Sequence, residues 1–211
     1  MSRWPDVEAW LAGLDAHLPL VPDLSPEGAR MALDLARMAL REVPEHLDRP
    51  APAHTVFVAS STVFTVALEW CAVLLARGGR VTLKVPRGLE PWYAAITRDT
   101  GLPLEATTDR RVLATADRVV LMGSDATVEA VRAALPDPSR LLAFGSRHSL
   151  AWWTDPTHAV DLALDRVLYD GRGCMAPTGI FSPIPDAAER LAEALERARA
   201  VVPLGTVHPS E

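Results

Sequence analysis

From Thr55 onward, short apolar runs alternate with amphipathic stretches of about ten residues or more, and this alternation limits the fold more than any other feature. Strands are predicted at Thr55–Ala59, Arg80–Val85, Arg118–Met122 and Arg140–Phe144, with a further one at Ser149–Trp153. The intervening segments read as a helix ending near Arg77, a Gly78-Gly79 turn, helices at Glu90–Thr100 and Asp125–Leu135, and a short helix near Asp109–Thr115. Strands joined through helices need right-handed crossovers, so they lie parallel in one sheet with both faces covered. That predicts an α/β class.

The flanks read differently. A helix is expected at Asp6–Leu18, and a second begins at the Ser25-Pro26-Glu27 cap signal, carries Met31, Leu35, Met38 and Val43 on one face, and stops at Pro44. The run Asp48-Arg49-Pro50-Ala51-Pro52-Ala53-His54 has the composition of a connector. After the sheet segments, Asp155 caps a helix with Pro156 in its first turn; Val160, Ala163, Leu164, Val167 and Leu168 share a face, and Gly171 stops it. A strand near Thr178–Ser182 and a helix from Asp186 to about Val201, with an Asp186/Glu189 capping box, follow. Val56–Ala76 is long enough to cross a bilayer but holds Ser60, Ser61, Thr62, Thr65 and Glu69, so it reads as strand plus core helix and no membrane span is expected.

Composition excludes several classes. With 211 residues, 49% hydrophobic and 23% charged, the chain can bury a full core. A net charge of -6 lacks the basic surface that nucleic acid requires. The two cysteines, Cys71 and Cys174, stand far apart without a CxxC or a nearby histidine cluster, so neither zinc nor a disulfide framework is indicated and no metal site is expected. The N-terminus has no basic-then-apolar leader, and a reducing cytoplasmic location is expected.

Open parallel sheets bind ligands beyond the carboxyl ends of their strands, so chemistry is sought in the strand-to-helix turns. Val119-Val120-Leu121-Met122-Gly123-Ser124-Asp125 is one such turn, where backbone N–H groups and a helix dipole favour phosphate, although Ser124 or Asp125 can equally be a simple cap and Asp125 opposes an anion. Lys84 and Arg87, at the end of the second strand, can neutralise a phosphate or stand as solvated surface. Cys174 lies in Gly171-Arg172-Gly173-Cys174-Met175-Ala176-Pro177, an uncrowded turn that suits a nucleophile if local potential lowers its pKa. Cys71 sits in an apolar run and reads as core. His148, between Ser146 and Ser149, invites a hydrolase reading, but the GxSxG elbow is missing and no acid partner can be assigned. Asp161 with Asp165 reads as a solvated helix face, and Trp152-Trp153 as packing or a binding surface.

Four segments in this order resemble the bacterial fatty acyl-CoA reductase family, which includes the luminescence fatty-acid reductases, within the aldehyde dehydrogenase superfamily. They are Leu83-Lys84-Val85-Pro86, Gly123-Ser124-Asp125, Phe144-Gly145-Ser146-Arg147-His148-Ser149 and Leu168-Tyr169-Asp170-Gly171-Arg172-Gly173-Cys174-Met175-Ala176-Pro177. The last is similar to the family's Asp-Gln-x-x-Cys-Leu-Ser-Pro stretch. The resemblance implies a Rossmann-like sheet in an aldehyde-dehydrogenase-like fold, with an N-terminal helical segment (1–47), a nucleotide-binding domain (55–153) and a partial catalytic domain (154–211). It implies an NAD(P)H-dependent acyl-CoA reductase in which Cys174 attacks an acyl thioester, Lys84 reaches the adenosine ribose or its phosphate, and Gly123 with Ser124 faces the diphosphate of NADPH or NADH. Ser60-Ser61-Thr62 stand where the family carries an asparagine, Gly171 replaces its glutamine, Ala176 its serine, and no general-base glutamate aligns. Family members continue well beyond the cysteine, so a homo-oligomer or a second subunit completing the domain is expected through an unpaired strand near Thr178–Ser182 and an apolar face at Leu191, Leu195 and Val202. The alternative is a catalytically inactive scaffold or regulatory subunit of the same fold.

Overall fold

The computed structural model describes residues 3–41, 43 and 50–206. They fall into two compact units, one drawn from Met1–Pro22 and Leu33–Ser146, the other from Asp23–Ala32 and Arg147–Glu211.

Five strands build the first unit: β1 (His54–Val58), β2 (Arg80–Lys84), β3 (Leu104–Thr107), β4 (Arg118–Met122) and β5 (Leu141–Phe144). They form one all-parallel sheet in the order β3-β2-β1-β4-β5. Val56, Phe57, Val81, Leu83, Val119 and Leu121 are fully buried, which explains why these strands read as continuous apolar runs rather than alternating ones. Four strands fall at the expected places. β3 was not expected, because Leu104-Glu105-Ala106-Thr107 has no apolar run; it lies at the sheet edge, paired to β2. A polar row runs from the interior to the edge there: buried His54 Nε2 lies 2.9 Å from buried Thr82 Oγ1, which donates to Oε1 of the exposed Glu105 at 2.6 Å.

Helix α1 (Trp4–Gly13) and a 3₁₀ segment (Leu14–Leu20) replace the single helix expected at Asp6–Leu18. They pack into the sheet unit rather than forming a separate N-terminal segment. Trp10 donates its Nε1–H to the Ile96 carbonyl at 2.8 Å, and Arg3 N–H donates to Ala76 O at 3.1 Å. Helix α2 (Pro26–Ala39) contributes residues to both units. Its buried stripe is Ala29, Ala32, Leu33 and Ala36, continued by Leu40 just past its end, whereas Leu35 (46% exposed) and Met38 (55%) face out, correcting the expected face. Both stripes have helical period, and the smaller side chains define the closer-packed one. The stop at Pro44 and the boundary at 47 lie outside the described residues.

Helices α3 (Val66–Ala76), α4 (Glu90–Thr97) and α5 (Asp125–Ala134) follow β1, β2 and β4 respectively, and Arg110–Thr115 is a 3₁₀ turn. Val56–Ala76 is thus divided between β1 and α3, and no helix among the described residues is long and apolar enough to cross a membrane. Trp70 on α3 meets Phe57 and Phe144 at ring distances of 6.3 and 6.0 Å.

The second unit holds β6 (Ser149–Trp152), α6 (Ala159–Val167), β7 (Pro177–Phe181) and α7 (Ala187–Val201). β6 pairs in parallel with β7 instead of extending the larger sheet, and the compact units divide the chain there at 146/147. α6 packs on α7 through Ala163, Val167, Ala194, Ala198 and Val202, with Leu164 and Leu195 against the same cluster. Of the face expected bare on α7, Leu195 and Val202 are therefore covered within the unit and Leu191 is half-buried, while Val201 at the end of the helix is exposed. Exposed apolar side chains gather instead on one face of the β6–β7 pair, at Leu150 (66%), Trp152 (74%) and Phe181 (53%), with Met175, Val201 and Leu204 exposed elsewhere in the unit, while Val160, expected inside, is 44% exposed. The capping box at α7 is absent: Asp186 has φ 55° and makes no side-chain cap bond, because a left-handed cap residue is not in the extended conformation that aims its side chain at the first turn. Asp155 does cap, accepting the Thr157 N–H at 2.9 Å, but of a 3₁₀ turn (Pro156–His158) preceding α6.

Candidate functional site

The strand order reverses between β1 and β4: the chain moves outward through β2 and β3, then returns to the other side of β1. The crevice at the carboxyl ends of β1 and β4 is the place where such sheets bind ligands. Register puts three of the four expected site residues along this rim. Lys84 pairs with Val58, Val58 pairs with Leu121, and Gly123 and Ser124 follow β4 directly. Lys84 and the Gly123 turn are thus two strand spacings apart, about 10 Å across the sheet.

Lys84 donates to the Val85 carbonyl at 3.0 Å. Burial, and then repulsion from Arg110, hold its ammonium below the usual lysine range, with Glu90 acting in the opposite sense. Arg110 approaches Lys84 from the 3₁₀ turn after β3, a placement illegible in the sequence because β3 carries no apolar run. Arg87 is exposed.

At the head of α5 the structure assigns most groups to the protein itself. Ser124 is the helix cap: its Oγ accepts the Thr127 N–H at 3.2 Å. Gly123 N–H donates to Phe144 O at 3.2 Å. The Asp125 carboxylate accepts Ser146 N–H at 2.8 Å, and a Cβ on Gly145 would strike that carboxylate, so glycine there permits the latch. Asp125 also places this chain's own anion at the positive end of the helix. After β1, Ser60 Oγ lies 3.0 Å from Thr62 Oγ1 and accepts the Thr62 N–H at 3.2 Å, so these hydroxyls bind one another. Ser146 bonds to Asp125, not to His148, which is exposed and offers no support to a hydrolase arrangement.

Cys174 belongs to the other unit. It is exposed, in the connection between α6 and β7, beside Met175 (75% exposed). Cys71 is fully buried on α3, and burial pushes its thiol far above the ordinary range, leaving it inert. The turn before Cys174 contains Asp170, only 12% exposed, whose carboxylate lies 3.2 Å from Arg199 on α7. Nothing in the sequence marks Arg199, 29 residues away, as its partner. Asp161 and His158 pair at 3.2 Å on an exposed surface, and no group of metal-ligating side chains occurs among the described residues.

A profile described as acyl-CoA reductase (LuxC) matches residues 105–210. No curated protein matches the sequence. Among solved structures, gamma-glutamyl-gamma-aminobutyraldehyde dehydrogenase from Burkholderia cenocepacia J2315 is similar with TM-score 0.73 and 15% identity, covering 97% of this chain and 52% of its own. An oxidoreductase from Marinobacter aquaeolei gives 0.72 and 13%, covering 92% and 49%. The NADP-dependent glyceraldehyde-3-phosphate dehydrogenase from Bacillus halodurans C-125, complexed with NADP, gives 0.69 and 13%, covering 97% and 53%. The fold is aldehyde-dehydrogenase-like, and the chain spans about half the length of these structures.

Proposed function

The chain belongs to the acyl-CoA reductase (LuxC) family, and from that premise we propose that it takes part in reducing an acyl thioester to an aldehyde, with Cys174 as the acyl acceptor. The observation that carries this reading is the contrast between the two thiols: Cys174 stands exposed in a glycine-lined turn within the matched region, whereas Cys71 is sealed in the core. The Cys174 thiolate adds to the thioester carbonyl; the tetrahedral adduct collapses, the carbon–sulfur bond to coenzyme A breaks, and the departing thiolate takes a proton from water. A nicotinamide cofactor, NADPH or NADH, would supply the hydride needed to reduce the acyl group to aldehyde and leave Cys174 as free thiolate.

Lys84, with Arg110 beside it, suits a phosphate-bearing nucleotide at the sheet rim, and the uncrowded Gly123 backbone next to Ser124 lets a diphosphate approach. Lys84 holds the nucleotide by charge; Gly123 and Ser124 line its path. Asp125 narrows the choice of pose, since a phosphate seated directly on the α5 N-terminus would meet a carboxylate.

A second polypeptide or a second copy of the chain covers the bare Leu150–Trp152–Phe181 face, a reading supported by the exposure of these three side chains side by side. Two free thiols suit a reducing cytoplasm. A second reading, an inactive scaffold or regulatory subunit, draws support from the mutually bonded Ser60 and Thr62 where the family has an oxyanion donor. Titration of the folded chain with NADPH and NADH separates them. Saturable binding of either, weakened by Lys84→Ala, supports the reductase reading, and binding of neither supports the scaffold.

A further inference from the structure

Just before Cys174 the backbone takes an uncommon path. Tyr169 and Asp170 are left-handed (φ 54°, ψ 28° and φ 56°, ψ 29°), and Gly171 continues in the same hand at φ 74°. Each residue with a Cβ costs about 1–2 kcal/mol in this region, so two in succession persist only where other contacts hold them. The Asp170 carboxylate makes those contacts. It lies 3.2 Å from Arg199 Nη1 and 4.0 Å from Arg172 Nη2, and it accepts the Gly205 N–H at 3.3 Å. The turn is tied forward as well: Arg172 N–H donates to Tyr169 O at 3.0 Å, and Ala176 N–H donates to Gly173 O at 3.0 Å, so one hydrogen-bonded turn precedes Cys174 and a second contains it. Gly171 gives room to the Arg166 side chain, and Gly173 lies against the Tyr169 ring, where a Cβ would come within 3.3 Å.

We propose that Asp170 is a positioning residue, whose pairing with Arg199 holds the left-handed Tyr169–Gly171 turn and thereby sets where Cys174 presents its thiol; the catalytic consequence rests on the reading of Cys174 given above. Folding alone does not call for this arrangement. A glycine at position 170 takes a φ near +55° without steric cost, and a largely buried ion pair adds little net stability. What the carboxylate adds is a fixed direction, because it joins the turn to α7 and to the Gly205 backbone at once.

The test compares the full chain with Asp170→Ala, Asp170→Asn and Arg199→Lys by amide hydrogen exchange and by acyl transfer from dodecanoyl-CoA to Cys174. Asp170→Ala is expected to speed exchange at Arg172 and Ala176, and to slow acyl transfer, by about tenfold or more each, the usual effect of losing a charge-assisted contact. Protection in α6 and α7 stays at the wild-type level. Asp170→Asn, which tolerates the left-handed region, falls between wild type and Asp170→Ala, and Arg199→Lys, which keeps the charge pair, stays near wild type. Unchanged exchange in the turn, loss of protection spread over α6 and α7, or unchanged acyl transfer in a variant whose turn has loosened would each overturn the proposal. A wild type that accepts no acyl group sinks the reading of Cys174 instead, and the exchange data then decide alone whether Asp170 is the anchor.

Discussion

The chemistry of two thiols and one lysine follows from their surroundings. Cys71 is enclosed by α3 and its neighbours, which raises its pKa, while Cys174 stands at the surface. Limited treatment of the native chain with iodoacetamide is therefore expected to modify Cys174 and leave Cys71 untouched until unfolding; equal labelling would contradict the assignment. If the sheet rim holds a nucleotide as proposed, replacing Lys84 by alanine removes a cation there and is expected to weaken NADPH binding roughly tenfold or more, corresponding to about 1.5–3 kcal/mol for a charge-assisted contact. Because its ammonium is held below the usual lysine range, the charge is lost earlier on the alkaline side. Affinity should fall as pH rises through that lowered range, and Lys84→Arg should keep it flat, which isothermal titration across pH checks.

The elements differ in how openly the sequence declares them. β1, β2 and β4 are buried on both faces and their apolar runs made them legible, as did the strand-end position of Lys84 and Gly123. β3 was hidden by its glutamate and alanine, and with it the approach of Arg110 to Lys84. The packing stripe of α2 was hidden by alanine, whose hydrophobic signal is weaker than that of the exposed Leu35 and Met38 although it allows closer approach. α6 and α7 meet through the same device, so Ala194→Leu is expected to overpack them and cost about 1–3 kcal/mol in chemical denaturation. On α3, burial raises the pKa of Glu69. A carboxyl raised in the folded state weighs against folding when ionised and ceases to do so once protonated, so Glu69→Gln should raise the melting temperature at pH 7, with the gain shrinking as pH falls through the raised pKa.

For the whole molecule, the sequence implied bare apolar surface at the strand near Thr178–Ser182 and on α7; the strand carries it, at Phe181, while α7 packs Leu195 and Val202 against α6. The bare patch is the face of the β6–β7 pair carrying Leu150, Trp152 and Phe181, the last two stacked at 6.3 Å. If assembly uses this face, it should bury about 1,000 Å² or more. Trp152→Ser with Phe181→Ser should then shift sedimentation toward the monomer, and an unchanged distribution would mean that assembly lies elsewhere. The Asp170–Arg199 pair was illegible for a different reason: the motif around Cys174 displays the aspartate, but only the folded unit brings α7 to it.

One measurement bears on Cys174 most directly. The folded chain is incubated with dodecanoyl-CoA in the absence of any nicotinamide cofactor, released coenzyme A thiol is counted, and the protein is mapped by peptide mass spectrometry. An acyl acceptor at Cys174 predicts one acyl group per chain on the peptide containing Cys174, an equal amount of released thiol, and loss of both in Cys174→Ala. A chain that stays unmodified while native, or that carries its acyl group on another residue, would contradict it.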